Sequence, residues 1–343
     1  MMTETNGLTS RQLIQRFFTQ GTVPRAPFIP WIFTHAARLE QILVRQMFGD
    51  PNQYAMAIRN AQKLYGYDAI VNVFDPSLEA EACGCPVTWG GNYELPAVAA
   101  HPFCVSNRIP EVDIAAIEQK GRLPVVLEAT RRMKTVMGRT MAIVGVVTGP
   151  LALATRLLGT DIIAEMDRNP EEAGRVLDFA GQVVAKVCRA YCELEPDIIA
   201  VADDLLLKVP SPHHAAAASP FGTFCSLARF YNAGSLLITA GGGSGDNLEI
   251  LAGLDFDGVA VGNVSLASLK QANLRAGLVQ GAAIPLPVLA ANDEEMDRFV
   301  SELAETAGKT RFFFTTVAEV PAETAPERMH ALIKTLASVG SDS

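Results

Sequence analysis

The sequence of 343 residues has little charge, and positive charge is the scarcer kind. Lys and Arg number 28 against 37 Asp and Glu, so charged residues make up 19% of the chain and the formal net charge is −9. A nucleic-acid-binding protein would carry an excess of basic residues on one face, which argues against that class. No apolar run approaches the roughly 20 residues that span a bilayer. Hydrophobic residues still make up 49% of the chain, which excludes intrinsic disorder.

Cysteine is also scarce, and the amino end carries no targeting pattern. The six cysteines, at positions 83, 85, 104, 188, 192 and 225, are too few in a chain of this length to form a disulfide framework. We expect them to be buried thiols rather than metal ligands. Residues 1–7 are polar and lack the charged and apolar regions of a secretory signal. These features predict a cytoplasmic protein.

Short apolar runs alternate with amphipathic stretches along the chain. Eight runs lack a polar face, which is typical of parallel strands covered on both sides: Phe28–Phe33, Ala69–Val73, Ala142–Thr148, Ile198–Ala202, Ser235–Thr239, Gly258–Val261, Leu278–Gly281 and Arg311–Thr315. The helical stretches between them include Leu39–Phe48, Val125–Met137, Pro170–Glu193 and Asp293–Ala307. Eight strands with helical connections predict an α/β fold, a single-domain (β/α)8 TIM barrel.

A further helix is predicted ahead of the first strand. Ser10 is an N-cap residue type, and the apolar residues that follow at helical spacing end before Gly21. We therefore predict an N-terminal helical extension over residues 1–24 and the barrel over residues 25–340.

Polar residues at the carboxyl ends of the strands are the candidate functional residues, because catalytic groups of such barrels lie at that end. Candidate catalytic residues are His35, Asp75, Asp203 and Asp204. Candidate substrate-binding residues are Arg38, Arg156, Thr239, Gly241, Gly242 and Asn263.

Each of these residue types also has a structural interpretation. Asp75 is either a carboxylate of the site or a helix cap ahead of Pro76. Asp203 and Asp204 either share a proton, with one raised pKa, or divide into a cap and a site acid. His35 is either an acid–base group or a structural histidine, and Arg38 either an anion clamp or an ion-pair partner at the barrel rim.

The glycine-rich stretch Gly241–Gly245 follows the fifth predicted strand. Its backbone N–H groups would suit an anion, but the stretch lacks the Lys-Ser/Thr of a phosphate-binding loop. The alternative is a loop that leaves room for a bulky ligand at the barrel mouth.

Three segments in the same order and spacing resemble the uroporphyrinogen decarboxylase superfamily. They are Tyr67–Cys85, with Asp75 inside it, Val144–Leu151, and Val320–Glu327, which is similar to a closing Ile-Pro-Pro-Asp-Thr-Pro-Pro-Glu. This superfamily includes the decarboxylase and the corrinoid-linked methyltransferases of the methylcobalamin:coenzyme M type. The resemblance extends from about Arg25 to the carboxyl terminus, and it implies a (β/α)8 barrel and a homodimer.

The decarboxylase pattern is only partly present. The resemblance places the family's essential aspartate, which grips pyrrole N–H groups, at Asp75 and the second of two substrate-binding arginines at Arg38. The other substrate-binding positions have changed, and they read Thr34, Arg156, Leu205 and Ala318. A decarboxylase that binds eight carboxylates would need more positive charge than Arg38 and Arg156 supply.

The zinc ligands of the methyltransferase branch are missing. In that branch a His-x-Cys after the fifth strand and a Cys after the last strand hold the zinc that activates a thiol acceptor. The corresponding positions are Thr239, Gly241 and Ala318. We therefore expect no metal at the family positions, although the segment Glu79–Cys85 is closer to the methyltransferases than to the decarboxylase.

The resemblance gives three functional hypotheses. The first is an enzyme that moves a methyl group between a small methylated substrate and a corrinoid (cobalamin) carrier, bound directly or held by a partner protein. In it, Asp75, His35 or the Asp203–Asp204 pair protonates or orients the donor heteroatom. The second is uroporphyrinogen III decarboxylase, with Asp75 on the pyrrole N–H groups and no cofactor. The third is a non-catalytic barrel that binds a corrinoid protein.

Overall fold

The computed structural model describes residues 7–19, 23–101, 112–240, 247–272, 274, 277–308 and 311–339. The strands are β1 Phe28–Ile29, β2 Ala69–Val71, β3 Val87–Thr88, β4 Ala97–Val98, β5 Ala142–Thr148, β6 Ile198–Ala202, β7 Gly234–Ala240, β8 Gly258–Gly262, β9 Val279–Ile284 and β10 Phe312–Thr316. Eight of them form one parallel sheet in the order β1-β10-β9-β8-β7-β6-β5-β2. Each lies on one of the eight predicted runs, so the (β/α)8 barrel is confirmed.

The barrel closes between β1 and β2 around a buried ion pair. The backbone N–H of Asp68, just ahead of β2, donates to the carbonyl of Phe28 at 2.9 Å. The Asp68 carboxylate accepts from both terminal nitrogens of Arg25, at 2.7 and 2.6 Å, and from the Phe28 N–H at 2.8 Å. β1 is shorter than predicted because Pro30 has no N–H to extend the ladder.

Helices surround the sheet, as the alternating pattern predicts. Their bounds are α1 Ser10–Thr19, α2 Thr34–Leu39, α3 Val44–Met47, α4 Pro51–Tyr65, α5 Leu78–Ala82, α6 Leu123–Met137, α7 Pro150–Leu158, α8 Ile162–Arg168, α9 Pro170–Cys192, α10 His214–Phe230, α11 Leu266–Gln271, α12 Leu286–Ala290, α13 Asp293–Ala307 and α14 Pro326–Val339. Short 3₁₀ turns cover Ile114–Gln119, Leu206–Lys208, Ser211–His213 and Leu248–Gly253. None of the described helices is both long and apolar enough to cross a membrane.

Two features depart from the predicted elements. The stretch Leu39–Phe48 is not one helix, because α2 ends at Leu39 and Gln41 has a left-handed backbone with φ 56° before α3 begins. After β2 the chain makes a long excursion over the carboxyl end of the barrel, and β3 and β4 pair there as an antiparallel hairpin.

The first helix covers the opposite end of the barrel. The backbone N–H of Arg11 donates to the carbonyl of Thr140 at 2.9 Å, and its side chain pairs with Asp197 at 2.7 Å, just ahead of β5 and β6. The Phe17 ring packs edge-on against Phe313 of β10, with ring centroids 6.4 Å apart. The predicted helix is therefore present, while the domain division at residue 24 stays a prediction.

Candidate active site

The strand register decides which side chains point into the barrel. A Cβ on Gly145 would lie 3.3 Å from the Tyr191 ring of α9, so this position of β5 faces the outer helices. Side chains alternate along a strand, and paired residues of neighbouring strands share a face. Near the carboxyl ends, the register therefore assigns these residues to the interior: Thr148, Ala202, Ile238, Gly262, Ala283 and Thr315.

This interior has a polar half and an apolar half. Small or apolar residues end β6 to β9, and Ile238 and Ala283 are half-buried, so the open space of the mouth reaches them. Carboxylate side chains follow β10, β2 and β6 on the other side. We call these the apolar half and the acidic half of the mouth.

Asp75 lies in the acidic half and is fully engaged by its neighbours. Its Oδ1 accepts from the backbone N–H of Ser77 at 2.8 Å and from the Ser77 hydroxyl at 2.7 Å. Its Oδ2 is paired with Arg122, whose Nε donates to Glu81 at 2.6 Å. The Arg122 guanidinium also lies over the ring of Trp89, 5.3 Å from the centroid, and so connects the hairpin to the site. Asp75 thus caps the turn at Ser77 and pairs with Arg122, while its role as a carboxylate of the site stays a prediction.

Glu79 of α5 is the second acid of this half. Its two oxygens accept from the backbone N–H of Thr148, at 3.1 Å, and from the Thr148 hydroxyl, at 2.5 Å. Complete burial raises the pKa of Glu79, and the bonds from Thr148 oppose that rise. The acid therefore joins α5 to the end of β5.

Asp203 caps a helix of the neighbouring βα unit. Its Oδ2 accepts from the backbone N–H groups of Leu151, at 2.9 Å, and Ala152, at 3.3 Å, at the start of α7. Its Oδ1 accepts from the Leu205 N–H at 3.1 Å. Burial raises the pKa of Asp203 to about 7, against the effect of these three bonds. Gly149 has to be glycine, because a Cβ there would lie 2.3 Å from that of Asp203.

Asp204 and Arg156 lie above this cap. Asp204 is exposed, whereas Arg156 is half-buried and donates to the carbonyl of Ala152 at 2.8 Å. Burial lowers the pKa of Arg156, while the charges of Asp203, Asp204 and other mouth acids raise it. Of the two adjacent aspartates, Asp203 is the cap and Asp204 is exposed to solvent.

Glu319, which follows β10, is the fourth acid of the mouth. Its Oε1 accepts from the backbone N–H of Phe33, at 3.1 Å, and from that of Thr34, so it anchors the start of α2. Burial raises the pKa of Glu319 to about 7; the bonds from Thr34 and Phe33 lower it, and the nearby charge of Asp75 raises it. Glu319 is therefore largely protonated below neutral pH.

These raised pKa values make stability depend on pH. Between about pH 5 and 6.5 the unfolded chain releases the protons of Asp203 and Glu319, whereas the folded chain keeps them, so stability falls as pH rises. Each group contributes a slope of up to about 1.4 kcal/mol per pH unit. We expect Glu319→Gln to remove one of these two contributions, as measured by urea unfolding across this range. Glu323→Gln, an exposed acid of the same loop, is the control, and an equal slope in both variants would contradict the assignment.

His35 and Arg38 both lie on α2, but their side chains lie in different surroundings. His35 is buried in the helical layer, where its Nε2 is hydrogen-bonded to the Tyr65 hydroxyl at 2.7 Å, and the two rings stack. Burial lowers its pKa, so it is neutral at pH 7. Its position corresponds to the structural interpretation. Arg38 is exposed at the rim, with its guanidinium 4.9 Å from the ring centroid of Tyr93.

The remaining predicted binding residues do not converge. The register of β7 points Thr239 towards the outer helices, and its buried hydroxyl has no partner among the described residues. We therefore leave Thr239 out of the site. Asn263 is exposed after β8 with a left-handed φ of 59°, which an asparagine tolerates in a turn. Gly241 and Gly242 lie outside the described residues.

The positions that correspond to the family's zinc ligands do not suit zinc. Structural and catalytic zinc sites use three or more sulfur, nitrogen or carboxylate ligands. Thr239 faces outward, and Ala318 has no donor atom. In the described part of the chain, no three His, Cys, Asp or Glu side chains are grouped as a metal site. Thr239 and Ala318 therefore supply no zinc ligand at these positions.

Three residues of the acidic half were not among the predicted site residues. Arg122 is 47 positions from Asp75, and no local spacing indicates that they pair. Glu79 lies within the segment that carries the resemblance. Glu319 lies three residues after the last strand. An acid at the carboxyl end of a barrel strand is a candidate catalytic residue, so its position in the sequence could have indicated it.

Comparisons with known proteins extend over the whole fold. The family model described as uroporphyrinogen decarboxylase (URO-D) matches residues 9–339. The chain is 24% identical over 200 residues to methylcobamide:CoM methyltransferase MtbA of Methanosarcina acetivorans, a match that covers 57% of this chain and 58% of the relative. It is 28% identical over 149 residues to methylcobamide:CoM methyltransferase MtaA of Methanosarcina barkeri, covering 43% of each protein.

A solved structure is similar along nearly the full length. The structure of a methyltransferase from Methanosarcina mazei superimposes with a TM-score of 0.84 at 20% identity, covering 96% of this chain and 98% of that one. At this identity the likeness establishes the common fold. The two curated relatives match this chain over 58% and 43% of their own lengths.

Proposed function

Because the chain belongs to the uroporphyrinogen decarboxylase (URO-D) family, we propose that it is a methyltransferase that moves a methyl group between a small methylated substrate and a corrinoid carrier. The names of the two curated relatives, both methylcobamide methyltransferases, support this branch of the family. In this proposal the corrinoid is a co-substrate that approaches the carboxyl end of the barrel, presented by a partner protein or bound directly. A homodimer and a cytoplasmic location belong to the same proposal.

The observation that carries this function is the half-buried carboxyl of Glu319 after the last strand, held by the backbone N–H groups of Phe33 and Thr34, with a pKa that burial raises to about 7. A methyl group on oxygen or nitrogen leaves poorly unless its heteroatom receives a proton, and a general acid is most efficient when its pKa is near the working pH. The apolar half of the mouth supplies the complementary surface for the body of the donor.

The decarboxylase alternative has little support from the charges of the mouth. Its substrate carries eight carboxylates, which need several arginines or lysines. Of the three described arginines near the mouth, Arg122 is already paired with Asp75 and Glu81. Arg156 lies among acids, and this leaves Arg38 as the one of these three arginines that faces solvent at the rim.

We expect the purified protein to methylate cob(I)alamin and to leave uroporphyrinogen III unchanged. The assay follows the loss of cob(I)alamin absorbance with methanol, 2-methoxyphenol, trimethylamine and tetramethylammonium as donors. A parallel reaction measures porphyrinogen consumption and carbon dioxide release. Porphyrinogen turnover without methylcobalamin would instead establish a decarboxylase, and binding of methylcobalamin without turnover of any donor would favour a non-catalytic partner of a corrinoid protein.

A further inference from the structure

Under the proposed function, one group has to protonate the atom that the methyl group leaves, and four residues were predicted for this task. Asp204 is exposed to solvent, and the other three are occupied or distant. Asp75 is bound on both oxygens by Ser77 and Arg122. Asp203 caps α7 with Oδ2 and accepts from the Leu205 N–H with Oδ1, so both of its oxygens are occupied. His35 is turned into the helical layer against Tyr65.

Glu319 differs from these groups in how its carboxyl is held. Both backbone bonds, from Phe33 and Thr34, go to Oε1, so they fix the orientation of the group through one oxygen. The side chain is half-buried in the loop after β10, near enough to Asp75 for the two charges to interact. We propose that Glu319 is the proton donor of the methyl-transfer reaction and delivers the proton from Oε2 to the heteroatom of the methyl donor.

The charged and titratable neighbours of Glu319 favour this role. Asp75 lies close enough for its charge to oppose ionisation of Glu319, and Tyr54 of α4 is the other titratable neighbour. Burial raises the pKa of Tyr54 well above its ordinary value, so the phenol stays neutral. The bonds from Phe33 and Thr34 stabilise the carboxylate that remains after the proton has moved.

The step balances for a methyl donor with an oxygen or a neutral amine nitrogen. The carbon–heteroatom bond breaks and both of its electrons stay on the heteroatom, which takes the Glu319 proton and leaves as an alcohol or an amine. The methyl group forms a bond to the cobalt of the cob(I)alamin co-substrate, which supplies the electron pair and becomes formally cobalt(III). Glu319 is then a carboxylate and regains its proton from water.

This assignment separates donors by their leaving groups. A neutral ether needs the proton, whereas tetramethylammonium loses a methyl group as a neutral amine without one. We therefore expect Glu319→Gln to slow transfer from 2-methoxyphenol by about 100-fold or more, within the range for loss of a general acid. Transfer from tetramethylammonium should stay within about threefold of the wild-type rate, as should both reactions in the control Glu323→Gln.

The wild-type protein gives a second readout that needs no variant. The rate with a neutral donor should fall as pH rises through about 7, since the protonated fraction of Glu319 falls, and the rate with tetramethylammonium should not follow that curve. Equal slowing of both donors in Glu319→Gln, or equal pH profiles in the wild type, would overturn the role of Glu319 while leaving the methyltransferase proposal intact. If no donor methylates cob(I)alamin in the wild type, the proposed function itself fails.

Discussion

Replacing Arg122 with methionine is expected to lower the free energy of unfolding by about 3–5 kcal/mol, the usual cost of leaving one buried charge without its partner. The Asp75 side chain is completely buried, and Arg122 is 9% exposed. The variant removes the pairs with Asp75 and Glu81 together with the bond to Ser77 at 2.9 Å. Methionine keeps most of the volume over the aromatic rings, so the loss is mainly electrostatic.

The measurement is urea unfolding at pH 7, and Arg131→Met is the matched control. Arg131 makes an ion pair with Glu128 on the surface of α6, and its side chain is 62% exposed. Such exposed pairs contribute about 0–1 kcal/mol. Similar losses in the two variants would mean that the Asp75–Arg122 pair does not hold the excursion to the barrel end.

Asp203→Ala is the second variant with a large expected effect, about 3 kcal/mol. Alanine leaves the N–H groups of Leu151, Ala152 and Leu205 without their acceptor in a buried place. Loss of a helix cap costs about 0.5–2 kcal/mol, and each buried donor left without a partner adds to this. The Cβ that remains still fits against Gly149, so the variant introduces no clash.

Asp161→Ala is the matched control, because it removes a helix-capping carboxylate at the surface. Asp161 caps α8 by accepting from the Ile163 N–H at 3.0 Å, and its side chain is exposed. Water can replace that acceptor, so a loss of about 1 kcal/mol is expected. Thermal or urea unfolding of both variants gives the comparison. Equal losses would show that Asp203 contributes only as an ordinary cap.

The barrel strands were predictable because their sequence pattern is local. A strand buried on both faces needs a short run of apolar residues, and the runs ending at Thr148 and Ala202 coincide with β5 and β6. The boundaries between consecutive helices were harder to predict. The left-handed Gln41 that separates α2 from α3 is not a glycine or an asparagine, so its conformation depends on packing that the local sequence does not encode.

The acidic half was predictable only in part. Asp75 and Asp203 follow their strands directly, and position alone placed them at the mouth. Arg122 reaches the same place only because the long excursion after β2 folds back over the barrel, and this depends on tertiary contacts. Burial of Glu319 likewise results from the packing of the β10 and β1 loops, so no spacing in the sequence indicates its raised pKa.

The helix α1 has a consequence for the order of events in the proposed reaction. Its aromatic side chains close the amino-terminal end of the barrel, with Phe17 against Phe313. Donor and corrinoid then have to use the same entrance at the carboxyl end. A corrinoid is far wider than a small methyl donor, so once seated it blocks the donor's route. Under the proposed function, we therefore expect the donor to load first and the demethylated product to leave only after the corrinoid has withdrawn.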